Sequence, residues 1–206
     1  MSSAPLVLQF MLSGDHVDRL PPARAEVAIV GRSNVGKSSL VNALGNRRKL
    51  AHVSNTPGRT RLLNLFALAD HDGPVTTGDG VLAATIMDLP GYGYAATSKQ
   101  MRAEWQGMIE QYLLERECLR MIIVLVDGEV GPTKLDVQML EWLRAQALPH
   151  TVVATKHDKV KSSKRDRRRK DLAAGCLLEV RDPVWVSARS GVGIDRLRGL
   201  IRAWLD

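Results

Sequence analysis

Aromatic side chains are scarce in this 206-residue chain, at 4% of positions with only two phenylalanines. Cysteine is scarcer still. Cys118 and Cys176 lie far apart and in no CxxC or Cys/His spacing, which argues against a structural disulfide or a zinc site and fits a reducing compartment. Both are expected as small buried apolar residues. Long hydrophobic runs are missing too. The longest, such as "MIIVLV" at 121–126, is far too short to span a bilayer. The N-terminal "MSSAPLVLQF" lacks the basic start and sustained apolar stretch of a signal peptide. These absences point to a cytoplasmic protein with no membrane partner. Acidic residues are the last shortage: 22 Asp and Glu against 29 Lys and Arg leave a net charge of +7. That excess is concentrated. Between Lys156 and Lys170, nine Lys and Arg face two Asp, a surplus as large as that of the whole chain. Such a block attracts polyanions.

What is present reads as one ordinary globular domain, with 45% hydrophobic and 25% charged residues. Residues 1–24 form an N-terminal extension leading into the first core strand. Strands are predicted at 25–31, 61–68, 82–88, 119–127, 150–156 and 183–187. Helices are predicted at 36–45, 101–116, 133–146, 163–174 and 193–205. Strands alternating with helices imply an α/β, three-layer fold: a mostly parallel central sheet with helices on both faces. The consecutive strands at 61–68 and 82–88 add one antiparallel edge strand, joined by an exposed loop rich in Gly, Asp and Pro. The four tryptophans, Trp105, Trp142, Trp185 and Trp204, fall at core-like positions and are read as packing. The histidines form no triad or metal cluster.

"GRSNVGKS" (31–38) fits the GxxxxGK[ST] phosphate loop and sits where that motif requires, after a strand and opening a helix. Gly31 and Gly36 allow the backbone to bend tightly and to approach phosphate oxygens. The N–H groups of Arg32, Ser33, Asn34, Val35 and Ser39 complete the cradle at a helix N-terminus. Lys37 is expected to reach the β- and γ-phosphates, and Ser38 to offer its hydroxyl to Mg²⁺.

"TKHD" (155–158) follows a strand and matches [NT]KxD, a loop that reads guanine. The Asp158 carboxylate accepts from the N1–H and exocyclic amine of guanine, a pattern adenine cannot offer. The Lys156 stem packs on the purine face. His157 lies between them, and Thr155 stands where Asn is more usual, giving up one amide contact. Val186, Ser187 and Ala188 close the next strand, where the Ala188 N–H can reach the guanine oxygen. Between the first helix and the second strand, "TPGRT" (56–60) supplies Pro57, Gly58, Arg59 and Thr60. Thr60 is the candidate for Mg²⁺ and the γ-phosphate, with Thr56 as fallback. "DLPGYGYA" (88–95) supplies Asp88, Leu89, Pro90 and Gly91. Asp88 is expected to hold Mg²⁺ through water, and the Gly91 N–H to touch the γ-phosphate. Lys37, Thr60 and Gly91 are thus the candidate catalytic residues, in a GTP/GDP switch whose two loops respond to the γ-phosphate.

Together "GRSNVGKSSLVNAL", "VSNTPGRTRLLNLF", "DLPGYGYA", "TKHD" and "VSA" resemble the EngB (YihA/YsxC-type) family of ribosome-biogenesis GTPases, from about residue 10 to the C-terminus. The resemblance implies a P-loop GTPase acting in assembly of the large (50S) ribosomal subunit, with the subunit precursor and its rRNA as partners. The loop at 69–80 is longer than the family's usual hairpin, and His52 stands where Arg is common.

Tyr92 occupies the place of the Gln that orients the attacking water in the best-known GTPases. A phenol cannot both accept from water and donate to phosphate as an amide does, so intrinsic hydrolysis is expected to be slow. The intrinsic rate of Ras, about 3–5 × 10⁻⁴ per second even with its Gln, sets the scale. Asn34 either helps hold a K⁺ ion that neutralises developing charge or merely shapes the loop. "KVKSSKRDRRRK" (159–170) is either a solvated helix face or an RNA-phosphate contact, and lacks the interleaved aromatics of base readout. Arg47, Arg48, Lys49, Arg59 and Arg61 add basic charge around the "TPGRT" segment. Two rivals stand beside the switch: a P-loop ATPase or nucleotide kinase, which "TKHD" argues against, and an RNA-binding scaffold that holds GTP with little turnover. Nothing in the sequence calls for a stable oligomer, so a monomer is the expectation.

Overall fold

The computed structural model describes residues 4–47, 49–51, 62–92 and 99–206, with the backbone alone for 99–105. Among these residues seven strands form one sheet: β1 (Leu8–Gly14), β2 (Ala23–Gly31), β3 (Leu63–Leu68), β4 (Leu82–Asp88), β5 (Leu119–Asp127), β6 (His150–Thr155) and β7 (Val184–Trp185), in the spatial order β1-β3-β4-β2-β5-β6-β7. The helices are α1 (Lys37–Leu44), α2 (Lys99–Glu115), α3 (Lys134–Ala145), α4 (Arg165–Gly175) and α5 (Ile194–Leu205).

The centre of the sheet follows from composition. β2 pairs in parallel with both β4 and β5. A strand covered on both faces is apolar along most of its length, and Val27, Ala28, Ile29 and Val30 are all fully buried. α1 and α5 cover one face, packing Leu40, Val41 and Leu44 with Ile194, Leu197 and Ile201. α2, α3 and α4 cover the other, through Tyr112, Leu113, Leu140, Leu143 and Leu172. The three-layer α/β arrangement is therefore as expected. Trp142, Trp185 and Trp204 pack against these two clusters. Both cysteines are free; Cys176 is buried and Cys118 half-buried.

The antiparallel strand is β3, hydrogen-bonded to β4. Its outer side is covered by β1, also antiparallel, with a shift in register between Phe10 and Leu12. The sequence reading placed no strand before residue 25. The reason is that β1 is an edge strand in which only Leu8 is fully inside. Main-chain bonds carry this segment into the fold: Leu6 N–H to Leu44 O at 3.0 Å and Ala69 N–H to Val7 O at 2.9 Å. The loop between β3 and β4 is exposed, as expected, and is pinned by bridges between Ala69 and Pro74 and between Thr76 and Leu82. α4 is two residues shorter at its start than the predicted helix, because a separate 3₁₀ turn covers Ser162–Lys164. β7 keeps only two residues of its predicted five.

Polar contacts lock the layers. Glu26 on β2 is fully buried and accepts from Tyr112 Oη (2.6 Å), Arg116 Nε (2.8 Å) and Thr85 Oγ1 (2.7 Å). Arg198 of α5 donates to the last carbonyls of α1, Leu44 O at 3.0 Å and Ala43 O at 2.7 Å, which helix geometry leaves without partners. No helix of the described residues is long and apolar enough to cross a membrane.

Candidate nucleotide site

The site lies at the carboxyl ends of β2, β4, β5 and β6, where parallel α/β sheets place ligands. β2 delivers Gly31 into the turn. A Cβ there would lie 2.9 Å from both Leu125 Cβ and Val35 Cγ1, so no side chain fits. Asn34 (φ 63°) and Gly36 (φ 108°) take left-handed conformations that swing the chain round before α1 starts at Lys37. No side chain caps that helix. Its first N–H groups are left for a ligand, and an anion suits them.

Lys37 is 9% exposed and Asp88 1% exposed. Burial holds the Lys37 ammonium below its ordinary pKa, with Asp88 partly offsetting it. Burial also pushes the Asp88 carboxyl up to about 6 despite Lys37 nearby. Both charges are thus disfavoured until partners arrive, an anion at the lysine and a cation at the carboxylate. Asp88 Oδ1 is buried without a hydrogen-bond partner, which fits a cation held directly or through water. Gly91 stands against this pair: a Cβ on it would lie 2.9 Å from Lys37 Nζ and 3.0 Å from Ser33 Cα and N. Leu89 and Pro90 lead β4 into that contact, with Leu89 N–H bonded to Ile29 O at 3.0 Å.

Tyr92 is held at three points. Its N–H donates to Gly31 O (3.2 Å), its carbonyl accepts from Ser33 N–H (3.0 Å), and its hydroxyl donates to Asp136 Oδ1 at the start of α3 (2.9 Å). The ring packs with the cluster on the α2/α3 face.

Thr155 ends β6. Its hydroxyl donates to Val35 O at 2.7 Å, tying the end of β6 to the 31–38 loop. Lys156 takes φ 55°, and its Nζ lies 2.7 Å from Asp127 Oδ2. Burial would raise the Asp127 pKa; the Lys156 hydrogen bond and the N–H groups of Val130 and Glu129 outweigh it and hold the carboxyl low. Ser187 Oγ donates to Asp158 Oδ1 at 2.6 Å and accepts from Ser190 N–H at 3.0 Å. His157 N–H is bonded to Val186 O at 3.1 Å.

A cleft of about 560 Å³ unites Gly36, Ser39, Lys156, Asp158 and Ala188. Of the predicted residues, Val35, Gly36 and Ser39 thus share one cleft with Thr155, Lys156, Asp158, Val186 and Ala188, while Lys37, Ser38, Asp88 and Gly91 do not line it. Pro57, Gly58, Arg59 and Thr60, with the fallback Thr56, lie outside the described residues. Three charged residues were missed. Arg189 also lines the cleft. Asp127 had a visible signal, an acidic residue ending a buried strand. Asp136 was foreshadowed only as the acidic third position after Thr133 in a helix cap.

A glycine-bent loop opening α1, a buried Lys and Asp behind it and a carboxylate held by Ser187 at the same end of the sheet fit a P-loop GTPase. Residues 26–156 match the family described as "50S ribosome-binding GTPase". The chain is 45% identical over 181 residues to the "Probable GTP-binding protein EngB" of Pelotomaculum thermopropionicum, covering 87% of this chain and 85% of that one. It is 38% identical over 201 residues to the protein of the same description from Mannheimia succiniciproducens, covering 96% and 92%. Among solved structures, a probable GTP-binding protein engB superposes with a TM-score of 0.65 at 23% identity, over 88% of this chain and 98% of that one. Aquifex aeolicus Era bound to GDP·AlF₄⁻ gives the same TM-score at 25% identity, over 90% and 57%. The chain belongs to the EngB family of GTPases.

Proposed function

We propose that this GTPase is a magnesium-dependent, slowly hydrolysing switch that acts in assembly of the large (50S) ribosomal subunit and meets its rRNA through the basic segment 156–170. The observation that carries the reading is the continuity of that segment with the guanine loop. Lys159 N–H closes a turn onto Lys156 O at 2.9 Å, and Lys161, Lys164, Arg167, Arg169 and Lys170 follow it, all exposed. The description of the matching family supports the ribosome as partner. Electrostatic contact with phosphates needs this kind of surface and no base readout.

Ser38, Thr60 and, through water, Asp88 would hold the Mg²⁺, which supplies charge neutralisation at the β- and γ-phosphate oxygens when bound. Asn34, exposed in the phosphate loop, is the candidate ligand for an activating K⁺. The chain is read as one G domain, monomeric and cytoplasmic. Slow turnover follows from Tyr92, whose hydroxyl is engaged by Asp136 rather than free to orient water.

The test is co-sedimentation with purified 50S subunits and 50S precursors, with GTP analogue, GDP or no nucleotide, over a series of salt concentrations. Binding that depends on nucleotide, weakens steeply with salt and drops for the variant R167E/R169E is expected. Binding to 30S alone, or affinity flat from low to moderate salt, overturns the reading. Hydrolysis compared in K⁺ and Na⁺ at equal ionic strength checks Asn34: a clear rise in K⁺ is expected, and equal near-zero rates leave the missing element to the ribosome or favour a GTP-holding scaffold.

A further inference from the structure

Asp136 does more than cap a helix. One oxygen suffices for the cap: Oδ2 accepts the Thr133 N–H at 2.8 Å and the Thr133 hydroxyl at 2.7 Å. The other, Oδ1, takes the Tyr92 hydroxyl at 2.9 Å. The carboxylate is fully buried, a condition that capping alone does not require. Its charge is balanced by the Arg32 guanidinium, with Nε 3.6 Å from Oδ2, and by the N-terminus of α3. Arg32 is itself a phosphate-loop residue, and its buried Nε makes no hydrogen bond. A carboxylate fixed by the α3 cap thus faces the second residue of the phosphate loop and the residue after the sensor glycine at once.

The consequence runs through Tyr92. Its peptide groups are hydrogen-bonded to both Gly31 and Ser33, so the orientation of the Tyr92 backbone sets how Gly91 meets the phosphate loop. Gly91 in turn leaves no room for a single carbon between itself and Lys37. Beside these two main-chain bonds the Ser33 hydroxyl reaches Gly91 O only at 3.4 Å, a long contact that leaves the segment room to pivot about the line between the two bonds. A third anchor off that line removes the pivot, and the phenol held by Asp136 is such an anchor.

We propose that Asp136 is a positioning residue for GTP hydrolysis: by holding the Tyr92 hydroxyl it fixes Gly91 against Lys37 and keeps the phenol out of the chemistry. The inference rests on the reading of Gly31–Ser38 and Asp88–Gly91 as the phosphate site. Tyr92 acts here through its anchorage. Burial, and then the Asp136 carboxylate, push its phenol well above the ordinary tyrosine pKa, so it stays a donor throughout the working pH range.

Single-turnover hydrolysis of preloaded GTP and the GDP dissociation rate are measured for wild type, Tyr92→Phe, Asp136→Ala and the double variant, with thermal melts as a control on folding. Tyr92→Phe keeps the ring and removes only the hydroxyl. Hydrolysis is expected to fall about tenfold in Tyr92→Phe, the size of one lost hydrogen bond to a charged group, while GDP dissociation changes by less than about twofold. The double variant is expected to be no slower than Asp136→Ala alone, because both changes break one interaction. Wild-type rates stay flat from pH 7 to 9. Additive effects overturn the proposal. So does a loss of more than about a hundredfold that tracks one titrating group, which would make the phenol catalytic. Unchanged hydrolysis in Tyr92→Phe with a lowered melting temperature reduces the bond to fold stability and overturns it as well. Lys37→Ala separates failures: if it leaves GDP binding intact, the phosphate-site reading itself is wrong.

Discussion

The Thr155 hydroxyl donates to the Val35 carbonyl at 2.7 Å and reaches the Val126 carbonyl at 3.3 Å. The residue that opens the guanine loop is therefore also a pin on the phosphate loop. Thr155 is 4% exposed, so the bond is made away from water. Replacing the hydroxyl by a methyl in Thr155→Val leaves the Val35 carbonyl without a buried partner, at a cost of about 1–3 kcal/mol. Affinity for GTP and GDP should fall together by about tenfold, with guanine still preferred over adenine because Asp158 is untouched. Fluorescent-nucleotide titration with GDP and ADP decides it. Loss of base discrimination alone, at unchanged GDP affinity, would show that Thr155 does not hold the phosphate loop.

What could be read from the sequence and what could not divide along one physical line. Phosphate binding needs consecutive N–H groups and a Lys at fixed spacing, so residues 31–38 announce it. Guanine reading needs a Lys and an Asp two apart on one loop, and residues 155–158 carry that pattern. The supports of these loops come from elsewhere in the chain. Asp127 meets Lys156 because β5 and β6 pair in parallel with Asp127 opposite Thr155, and register is invisible in a run of apolar residues. Asp136 meets Tyr92 across 44 positions. β1 escaped notice because a strand buried along little of its length has no strong alternation to show. The "TPGRT" segment, where the motif placed Thr60, lies outside the described residues.

Gly91 is a position where the smallest possible change should be severe. A methyl group there would sit 2.9 Å from Lys37 Nζ and 3.0 Å from the Ser33 backbone. The lysine end can move, but the Ser33 backbone cannot move without disturbing the cradle. Gly91→Ala is expected to fold normally, since the clash is confined to the site, and to lose hydrolysis by about a hundredfold or more, on the scale of one transition-state donor removed. GDP affinity should fall much less. Stopped-flow hydrolysis beside a GDP titration checks both, and wild-type turnover in the variant would contradict the close contact.

Glu26 predicts the opposite pattern. It lies five residues before Gly31 on β2, about 17 Å away at strand rise. Its carboxylate joins Tyr112, Arg116 and Thr85 in the interior. Removing one member of a buried ion pair leaves the other uncompensated, which costs about 3–5 kcal/mol. Glu26→Ala should lower unfolding free energy by that amount in urea. GDP affinity of the folded fraction should stay within about twofold of wild type. A stable Glu26→Ala protein would mean that Arg116 finds another partner or reaches water.

His157 gives the protein a pH-dependent weak point inside the guanine loop. The ring is 6% exposed, its Nε2 is buried without a partner, and its edge meets Trp185 at a centroid distance of 5.9 Å. Burial lowers its pKa first; Arg165 and then Arg169 lower it further, and Asp158 opposes them. The folded chain therefore binds this proton less readily than the unfolded chain, where histidine titrates near about 6.5. Its contribution to stability is complete above that value and is lost as the pH falls toward the folded pKa. Relative to His157→Asn, the wild-type melting temperature should be level from pH 7.5 to 6.5 and decline between 6.5 and 5.5, a comparison in which the Asp88 carboxyl, pushed up to about 6 and of opposite sign, is common to both proteins. Protonation would also force the loop beside Asp158 to accommodate a cation next to two arginines, so GDP affinity should fall over the same window. His157→Asn should lack the His157 contribution to both slopes and keep that of Asp88, whatever the absolute stability of the variant. An equal decline in wild type and variant would assign the acid sensitivity to another group.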